Sequence, residues 1–350
     1  MYTDIDIKEA LSLSGVLLVD VRSEEEYLRD TIPGAVNIPV LHNEEKAAVG
    51  LIYHREGAEA ALKLGINLVT PKLAAKLAAV SDLSDGRALV VFCWRGGQRS
   101  DAMARFLAQE GYAVYRLIGG YKAYRRYVLE YLSNMALPLR SIVLHGLTGT
   151  GKTDILEKLA ARGLPVLDLE GLARHRGSVY CKIGLPPSPS QKAFESQIVN
   201  VLEKAAEQGL FLVECESRRL GNLLTPQLVM DFIRQGAKVL LYCALPWRIK
   251  RIRDVYAGSL DENIAALQQG TAALSRMLGK AKVEELGLLL AEKEYDQVIA
   301  FMLEHHYDPL YNYPSRPEAG YELCVDTGCM EEAVEIIYGF AIQIRNEISS

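Results

Sequence analysis

The segment Gly146–Thr153, GLTGTGKT, constrains the fold of this chain more than any other stretch. It fits the pattern G-x-x-x-x-G-K-[ST] and lies between an apolar run, Ser141–Leu144, and a helical pattern over Asp154–Arg162. In that context it is a phosphate-binding loop (P-loop), whose backbone N–H groups and lysine cradle a diphosphate. A magnesium ion, if one binds, would face the threonine hydroxyl. The predicted diphosphate ligands are Gly146, Thr148, Gly149, Gly151, Lys152 and Thr153.

A second glycine-bearing loop follows a predicted strand earlier in the chain. The apolar run Leu89–Phe92 ends at Cys93, two glycines and Arg99 follow, and a helical pattern covers Ser100–Glu110. A strand, a tight loop and a helix N-terminus would surround the cysteine sulfur with backbone N–H groups, which favour a thiolate and hold an anion beside it. We therefore predict Cys93 and Arg99 as catalytic residues, with the Arg99 guanidinium neutralising the anion.

The length of 350 residues predicts two domains. Strand and helix signals alternate through residues 1–137, which predicts an N-terminal domain built on a parallel sheet. Pro138 ends the preceding helical pattern and marks the predicted hinge. Residues 138–350 form the predicted P-loop domain, with mostly helical patterns from Asp261 onward. The predicted fold class is therefore α/β, with two parallel-sheet domains in series and a helical C-terminal part.

The net charge of −5, from 39 basic and 44 acidic residues, excludes a general polyanion-binding surface. Nucleic-acid or phosphate contacts must come from local basic patches, and we predict Arg95, Arg248 and Arg251 for them. Six cysteines without a CxxC pair or zinc-type spacing predict reduced thiols, no metal site and a cytoplasmic protein. No apolar run approaches the roughly 18 residues of a membrane helix, and the acidic N-terminus does not resemble a signal peptide.

Four segments before the hinge form a recognisable combination. They are Asp20–Arg22 (DVR), Asp30–Pro39 (DTIPGAVNIP), Cys93–Ser100 (CWRGGQRS) and Leu117–Tyr121 (LIGGY). Together they resemble the rhodanese domain, whose loop cysteine carries a persulfide. The loop here, Cys-x5-Arg, is one residue longer than the usual Cys-x4-Arg of that family. The longer loop also occurs in rhodanese-fold phosphatases and arsenate reductases, which hold a larger oxyanion.

Together with the P-loop, the segments Glu214–Gly221 (ECESRRLG) and His305–Tyr311 (HHYDPLY) extend the resemblance over nearly the whole chain. This combination, in this domain order, resembles the tRNA 2-selenouridine synthase family. The resemblance implies a transferase that converts the wobble 2-thiouridine of the tRNAs for lysine, glutamate and glutamine into 2-selenouridine. It implies geranyl diphosphate as the donor for an S-geranyl intermediate and selenophosphate as the selenium donor. Cys93 would carry or deliver the selenium.

The implied partners are tRNA, bound at its anticodon wobble uridine, and selenophosphate delivered by selenophosphate synthetase. We expect a monomer with no tightly bound cofactor. The residues suit this chemistry, because alkylation turns the sulfur of thiouridine into a thioether that selenium can displace at C2. A diphosphate leaving group also explains a P-loop without ATP hydrolysis. The geranyl chain needs an apolar pocket near the P-loop, and the sequence does not single out its lining.

Other functions remain open at this stage. The chain could be an ATP-using sulfurtransferase fused to a P-loop kinase, a phosphatase-like regulator, or a non-enzymatic tRNA-binding module. The intact cysteine loop and P-loop argue against the last of these. Glu214 or Glu216 either holds a magnesium-bound water or pairs with a nearby arginine, Arg218 or Arg219.

Several aromatic and sulfur-bearing residues also carry alternatives. Tyr121 and Tyr124 either contact tRNA bases or pack in the core, and the packing interpretation is the preferred one. His305 and His306 are adjacent, so their side chains would point to different faces of a helix and do not predict a metal site. No role is predicted for Cys181.

Overall fold

The computed structural model describes residues 1–133, 137–175, 186–256 and 264–349. The chain folds into two compact units. The first unit comprises Met1–Asn134 together with Ser190–Val199, and the second comprises Met135–Pro189 together with Asn200–Ser350. The division along the chain falls close to the predicted hinge at Pro138. The segment Ser190–Val199 is an addition to the first unit that no local sequence signal indicated.

The first unit is built on a five-stranded parallel sheet with the strand order β1-β5-β4-β2-β3. Its strands are β1 (Thr3–Ile5), β2 (Val16–Asp20), β3 (Val36–Asn37), β4 (Ala88–Phe92) and β5 (Val114–Leu117). Its helices are α1 (Ile7–Ser12), α2 (Glu24–Arg29), α3 (Asn43–Glu56), α4 (Ala58–Val69), α5 (Leu73–Ser84), α6 (Gln98–Gln109) and α7 (Gly120–Ser133).

The register of this sheet places the cysteine loop. In the pairing of β2 with β4, Asp20 lies opposite Phe92, and the Val21 N–H donates to the Phe92 carbonyl oxygen at 2.9 Å. Leu89, Val91 and their neighbours on β4 are fully buried, so this strand lies in the centre of the core. Because parallel strands end at the same edge, the residues after β2 and after β4 meet there.

The second unit contains a five-stranded parallel sheet with the strand order β12-β11-β6-β8-β7. Its strands are β6 (Arg140–His145), β7 (Val166–Leu167), β8 (Leu210–Glu214), β9 (Arg219–Leu220), β10 (Leu223–Leu224), β11 (Ala237–Tyr242) and β12 (Leu323–Asp326), of which β9 and β10 form a separate hairpin. Its first helices are α8 (Lys152–Ala161), α9 (Leu169–Ala173), α10 (Gln191–Ala206), which begins in the segment assigned to the first unit, α11 (Gln227–Gln235) and α12 (Leu245–Tyr256).

Most of the later helices of the second unit pack around their own apolar cluster, which includes Leu286, Leu290 and Met302. The last helix instead packs in the core of the second sheet, through residues that include Ala333 and Ile337. Among the helices in the described ranges, none is both long enough and apolar enough to cross a membrane. These later helices are α13 (Ile264–Ala273), α14 (Ser275–Leu278), α15 (Lys280–Ala291), α16 (Tyr295–Met302), a π-helical turn (Leu303–Tyr307), α17 (Asp308–Tyr311) and α18 (Met330–Ser349).

The α/β fold class with parallel sheets and a helical C-terminal part is confirmed, but three local predictions need correction. The sequence pattern of Glu44–Leu64 predicts one mixed helical stretch, but the structure has two helices there, because Gly57 at φ +91° ends α3. The sequence predicts that an aromatic turn at His305–Tyr313 interrupts the helical pattern, but most of this segment is helical, with a π-helical turn followed by α17. The mostly helical prediction after Asp261 missed β12, whose strand partner β11 lies about eighty residues earlier in the chain.

Gly120, at the start of α7, closes the cysteine loop from the far side. The N–H groups of Tyr121 and Lys122 donate to the carbonyl oxygens of Cys93 and Trp94 at 2.8 and 3.0 Å. Gly120 has φ +56°, and a Cβ there would lie 2.2 Å from the Cys93 carbonyl oxygen. Only glycine permits this approach, so the Leu117–Tyr121 turn and the cysteine loop form one packed structure.

We predict that Gly120→Ala lowers the free energy of unfolding of the first unit by about 2–4 kcal/mol, because the new methyl group overlaps backbone at a left-handed φ. The chain has two tryptophans, Trp94 and Trp247, one in each unit. Urea unfolding followed by Trp94 fluorescence in a Trp247→Phe background therefore reports on the first unit.

The matched control is Gly65→Ala, in the middle of α4, where an added Cβ meets nothing within 4 Å. This change should be neutral or stabilising by less than about 1 kcal/mol, because alanine favours a helix. Similar unfolding curves for the two variants would contradict the close packing at Gly120.

Candidate functional site

Cys93 lies at the carboxyl end of β4 and begins the loop that leads into α6. Its side chain is buried, and its Sγ atom lies 3.2 Å from the Ser100 Oγ atom. Ser100 is itself buried, and its hydroxyl can donate either to the Gly97 carbonyl oxygen, at 3.1 Å, or to the sulfur. When the hydroxyl donates to the sulfur, this hydrogen bond stabilises a Cys93 thiolate. Ser100 is not among the predicted site residues, and its only sequence signal is its place directly after Arg99.

A buried arginine, Arg22, packs against the cysteine loop. It forms an ion pair of 2.6 Å with Asp20, and its guanidinium carbon lies 4.0 Å from the centre of the Tyr121 ring. The Tyr121 hydroxyl donates to the carboxylate of Asp30. Burial raises the pKa of Asp30. Tyr121 and Tyr124 are each 2% exposed, so the packing interpretation of these tyrosines is confirmed. The sequence favours Asp20 and Arg22 of the DVR segment as a structural pair, and the structure has this pair.

Arg99 lies in the first turn of α6 and is held by an acidic residue. Its Nη1 atom donates to Glu26 at 2.9 Å, and Lys46 Nζ lies 3.2 Å from the same carboxylate. Burial opposes ionisation of Glu26, but the hydrogen bonds and charges of Arg99 and Lys46 outweigh it and lower its pKa to about 2. Glu26 therefore remains charged at neutral pH and orients Arg99. A catalytic role for Arg99 stays a prediction.

Arg95 lies in the same loop with a different environment. Its side chain is exposed, and it forms no ion pair with any residue in the described ranges. Its neighbour Trp94 is 36% exposed and packs on Tyr121, with ring centres 5.2 Å apart. Arg95 is therefore the loop cation that is open to solvent, and its predicted phosphate contact stays a prediction.

The P-loop runs from β6 into α8, as its motif predicts. Gly146 has φ +151°, and a Cβ there would lie 2.4 Å from the Leu241 carbonyl oxygen, so a side chain cannot be accommodated. Lys152 Nζ donates to the Gly146 and Leu147 carbonyl oxygens at 3.0 and 3.5 Å. The Thr150 hydroxyl donates to the Leu147 carbonyl oxygen at 2.8 Å. These bonds close the loop in the form that encircles a phosphate.

Two acidic residues at the end of β8 lie beside the P-loop, because Glu214 pairs with Leu144 of β6 in the sheet register. The Thr153 hydroxyl donates to Glu214 Oε1 at 2.8 Å. Burial raises the pKa of Glu214, and burial together with the Glu214 charge raises the pKa of Glu216 to about 7. Among the described residues, neither Arg218 nor Arg219 contributes to the electrostatic surroundings of these two carboxyl groups.

The hydroxyl of Thr153 and the carboxylate of Glu214 are oxygen donors of the kind that magnesium prefers. These two side chains would therefore hold the ion where one binds. In the described part of the chain, no group of three or more histidine, cysteine, aspartate and glutamate side chains forms a metal site. A magnesium requirement stays a prediction.

Two arginines of α12 brace the P-loop backbone. Arg248 is 4% exposed, with its Nε donating to the Thr148 carbonyl oxygen at 2.7 Å and its Nη1 to the Asp308 carboxylate at 2.9 Å. Arg251 Nη1 donates to the Thr150 carbonyl oxygen at 3.2 Å and to Thr327 Oγ1 at 3.1 Å. Burial thus removes Arg248 from the predicted nucleic-acid contacts. Arg251 lines the cavity beside the loop, where its phosphate contact stays a prediction.

A cavity of about 620 Å³ opens at the P-loop. Part of its wall is polar and comes from the P-loop, Arg251 and carboxylates that include Glu214 and Glu216. Another part, which we call the apolar wall, comes from helices of the C-terminal part. The apolar wall contains Leu267, Leu290, Val298, Ile299, Met302 and Leu303. The cavity therefore joins the P-loop to an apolar surface, and no local motif indicated that surface.

His145, the last residue of β6, is buried directly before the P-loop. Its Nε2 atom has no hydrogen-bond partner, and its ring packs edge-on against Tyr313 and Tyr321. Burial, with the charges of Lys238 and Lys152, lowers the pKa of His145 to about 4. The imidazole is therefore neutral in the native protein at neutral pH.

The remaining candidates of the sequence lie elsewhere. The His305 ring stacks on Phe301, whereas His306 is buried at 7% exposure, so the two side chains have different surroundings as expected. Cys181 lies outside the described residues.

Comparison with known proteins identifies both units. A family model described as the tRNA 2-selenouridine synthase AAA domain matches residues 139–338, which is more than half of the chain. A model of the rhodanese-like domain matches residues 5–127. A solved structure, that of the N-terminal domain of a Clostridium difficile 630 protein, has 41% sequence identity to this chain. The match covers 36% of this chain and 99% of the solved chain, with a TM-score of 0.35.

Full-length relatives extend the match. The tRNA 2-selenouridine synthase of Cupriavidus necator is 34% identical, over 87% of this chain and 89% of its own. The synthase of Bordetella bronchiseptica is 32% identical, over 97% of this chain and 98% of its own. The fold and the sites define a transferase-type enzyme that joins a rhodanese-like domain to a P-loop domain. The chain belongs to the tRNA 2-selenouridine synthase family.

We predict that Arg248→Met lowers the free energy of unfolding of the second unit by about 2–4 kcal/mol, because Asp308 and the Thr148 carbonyl oxygen lose their partner. Urea unfolding is followed by Trp247 fluorescence in a Trp94→Phe background. The control on the same helix is Arg253→Met, which removes a solvent-exposed pair with Asp296 and should cost less than about 1 kcal/mol. Equal losses would contradict the bracing role.

The depressed pKa of His145 predicts a specific pH dependence. Since its folded pKa of about 4 lies below the unfolded value of 6.5, its contribution to stability is present above pH 6.5 and is lost as the pH falls toward 4. The difference corresponds to at most about 3 kcal/mol. His145→Phe keeps the ring contacts and has no proton to bind. Unfolding of the second unit at pH 7.5 and 5.0 should therefore lose less stability in the variant, and an identical loss would assign the effect to other groups.

Proposed function

We propose that this chain converts the wobble 2-thiouridine of the tRNAs for lysine, glutamate and glutamine into 2-selenouridine. The reaction runs in two steps, through S-geranyl-2-thiouridine, with geranyl diphosphate and then selenophosphate as donors. Family membership supports the overall conversion, because the relatives in Cupriavidus and Bordetella are tRNA 2-selenouridine synthases. We further propose a monomer in the cytoplasm that has no resident cofactor and receives selenophosphate from selenophosphate synthetase.

The observation that carries the geranyl step is the joint presence of a P-loop and an apolar wall in one cavity. Geranyl diphosphate has a diphosphate head for the first and a ten-carbon hydrocarbon chain for the second. A nucleoside triphosphate would also fit the P-loop, but its ribose and base would leave the side chains of Leu290, Val298 and Met302 without an apolar partner. The composition of the cavity therefore favours a prenyl diphosphate over ATP.

In the geranyl step the P-loop stabilises the leaving group. Its backbone N–H groups and Lys152 act on the diphosphate as negative charge accumulates there. Lys152 now donates to the Gly146 and Leu147 carbonyl oxygens and would exchange these bonds for the diphosphate oxygens. Arg251, on the cavity wall, adds a second cation. The sulfur of 2-thiouridine attacks C1 of the geranyl group, and diphosphate leaves.

In the selenium step Cys93 carries or delivers the selenium of selenophosphate to C2 of the geranylated base. The C2–Se bond forms, and the C2–S bond breaks with its electron pair on the sulfur, which leaves with the geranyl group as geranylthiol. Water cleaves the P–Se bond, and phosphate leaves. The loop offers Ser100 beside the sulfur and the exposed Arg95 as a cation for the selenophosphate anion. Arg99 would add a second positive charge if it turns from Glu26 toward the anion. The two steps thus use separate groups of residues, one in each unit.

Nucleoside mass spectrometry on 2-thiouridine tRNA separates the steps. With geranyl diphosphate alone, wild-type protein and Cys93→Ala should form the geranylated nucleoside, whereas Lys152→Ala should lose roughly 100-fold or more in rate, since it lacks a charge on the leaving group. After addition of selenophosphate, only the wild type should form 2-selenouridine. Pre-geranylated tRNA should restore the selenium step to Lys152→Ala.

Two outcomes would contradict this proposal. If wild-type protein forms neither product while calorimetry detects ATP at the P-loop, the chain is the ATP-using sulfurtransferase instead. If Cys93→Ala forms 2-selenouridine at the wild-type rate, the cysteine loop has no part in selenium transfer.

A further inference from the structure

The segment Tyr307–Tyr313, YDPLYNY, has no role in the two steps described above, yet it lines the cavity. We call it the aromatic segment. It contributes Tyr307, Tyr311 and Tyr313 to the cavity wall, and Tyr295 of α16 adds a further ring. Aromatic rings therefore lie in the same cavity as the P-loop residues that would hold a diphosphate.

One arginine ties the aromatic segment to the P-loop. Asp308, the second residue of the segment, accepts a hydrogen bond of 2.9 Å from Arg248, and Arg248 donates one of 2.7 Å to the Thr148 carbonyl oxygen. The arginine is 4% exposed, so water does not compete for these bonds. The tyrosines are thus held at a defined place relative to the loop that binds the leaving group.

Tyr311 and Tyr313 present their rings in parallel. The two ring planes differ by 11° and the ring centres lie 6.3 Å apart. Asn312 between them has φ +51°, a left-handed conformation that asparagine tolerates better than most residues. Tyr313 is further fixed by a hydrogen bond between its hydroxyl and Cys215, and by the edge-on ring of His145. The pair is a preformed surface.

Both tyrosines are neutral phenols at neutral pH, and both keep part of their surface exposed. Burial, with the charges of Glu216 and Glu170, raises the pKa of Tyr311 to about 12, and burial with the hydrogen bond to Cys215 also raises the pKa of Tyr313. Tyr311 keeps 38% of its surface exposed, and Tyr313 is half-buried. A neutral aromatic face carries negative charge density and attracts a cation.

We propose that Tyr311 and Tyr313 are catalytic residues that stabilise an allylic cation formed from the prenyl diphosphate in this cavity. The inference rests on the geranyl diphosphate step of the proposed function. The C1–O bond breaks with its electron pair on the diphosphate, and the positive charge is shared between C1 and C3 of the allyl group. The 2-thiouridine sulfur then donates a lone pair to C1 to form the C–S bond, and the N3 proton of the base passes to solvent.

The surroundings favour this cation at both of its ends. Lys152 and the P-loop amides stabilise the departing diphosphate, while the faces of the two tyrosines stabilise positive charge. The apolar wall, with Leu290 and Met302, keeps water from the hydrocarbon, and water would otherwise capture the cation as an alcohol.

Single-turnover geranylation of a 2-thiouridine RNA tests the inference, with saturating geranyl diphosphate and nucleoside mass spectrometry. Tyr311→Leu and Tyr313→Leu should each slow the reaction about 10–30-fold, the equivalent of a desolvated cation–π contact. Tyr311→Phe and Tyr313→Phe keep the aromatic face and should slow it by less than about 3-fold. Tyr53→Leu, at an exposed tyrosine of the first unit, is the matched control and should leave the rate unchanged.

Two further measurements separate a lost cation contact from a lost structure. The affinity for geranyl diphosphate, measured by calorimetry, should stay within about 2-fold of the wild type in both leucine variants, because the contact forms only when the cation does. A fluorine at C2 of the geranyl chain withdraws electrons from an allylic cation. The fluorinated substrate should therefore react far more slowly with wild-type protein at similar affinity.

The outcomes distinguish this inference from the function on which it rests. Leucine variants as fast as wild type, phenylalanine variants as slow as the leucine variants, or a fluorinated substrate of normal reactivity would each overturn the cation and leave the geranyl step in place. Wild-type protein that forms no geranylated nucleoside would overturn the proposed function and this inference with it.

Discussion

The buried guanidinium of Arg248 connects the parts that make the P-loop cavity. It belongs to α12, donates to the P-loop carbonyl of Thr148 and pairs with Asp308 of the aromatic segment. A buried charge that lacks its partner costs several kcal/mol, so helix, loop and segment are stable only together. The position of Tyr311 and Tyr313 and the conformation of the P-loop therefore both depend on Arg248. The pair joins residues sixty positions apart in the chain.

The cysteine loop depends on backbone packing instead. The N–H groups of Tyr121 and Lys122 donate to the loop carbonyls, and Gly120 permits the approach because it has no side chain. Two arginines beside Cys93 have different surroundings. Arg99 is held by Glu26, whereas Arg95 is exposed. The loop thus combines the buried Cys93 thiol with one paired cation, Arg99, and one solvent-exposed cation, Arg95.

The second unit combines two chemistries in one cavity. Its P-loop favours highly charged oxygen atoms, whereas the apolar wall favours hydrocarbon. Glu214 and Glu216 also line this cavity, and burial raises the pKa of both. A ligand with a charged head and an apolar chain satisfies both surfaces at once. This complementarity is the strongest physical argument for a prenyl diphosphate as the substrate of this unit.

The sequence by itself determined the elements whose chemistry is local. The P-loop and the cysteine loop each follow from a strand, a glycine-bearing turn and a helix that are adjacent in the chain, and the structure has both in the predicted places. The α/β class follows in the same way, from alternating patterns that short segments carry. The buried pair of Asp20 and Arg22 is local in the same sense, because its two members are two residues apart in the DVR segment.

Only the tertiary structure decided which distant residues meet. It paired Arg99 with Glu26, turned Arg248 from a presumed surface residue into a brace for the P-loop, and added β12 to the edge of the second sheet. In the folded chain the apolar wall and the aromatic segment also line the same cavity as the P-loop. The physical reason is that burial and pairing depend on contacts between residues far apart in the chain. Spacing and composition record what one segment can form, but not which segment it will face.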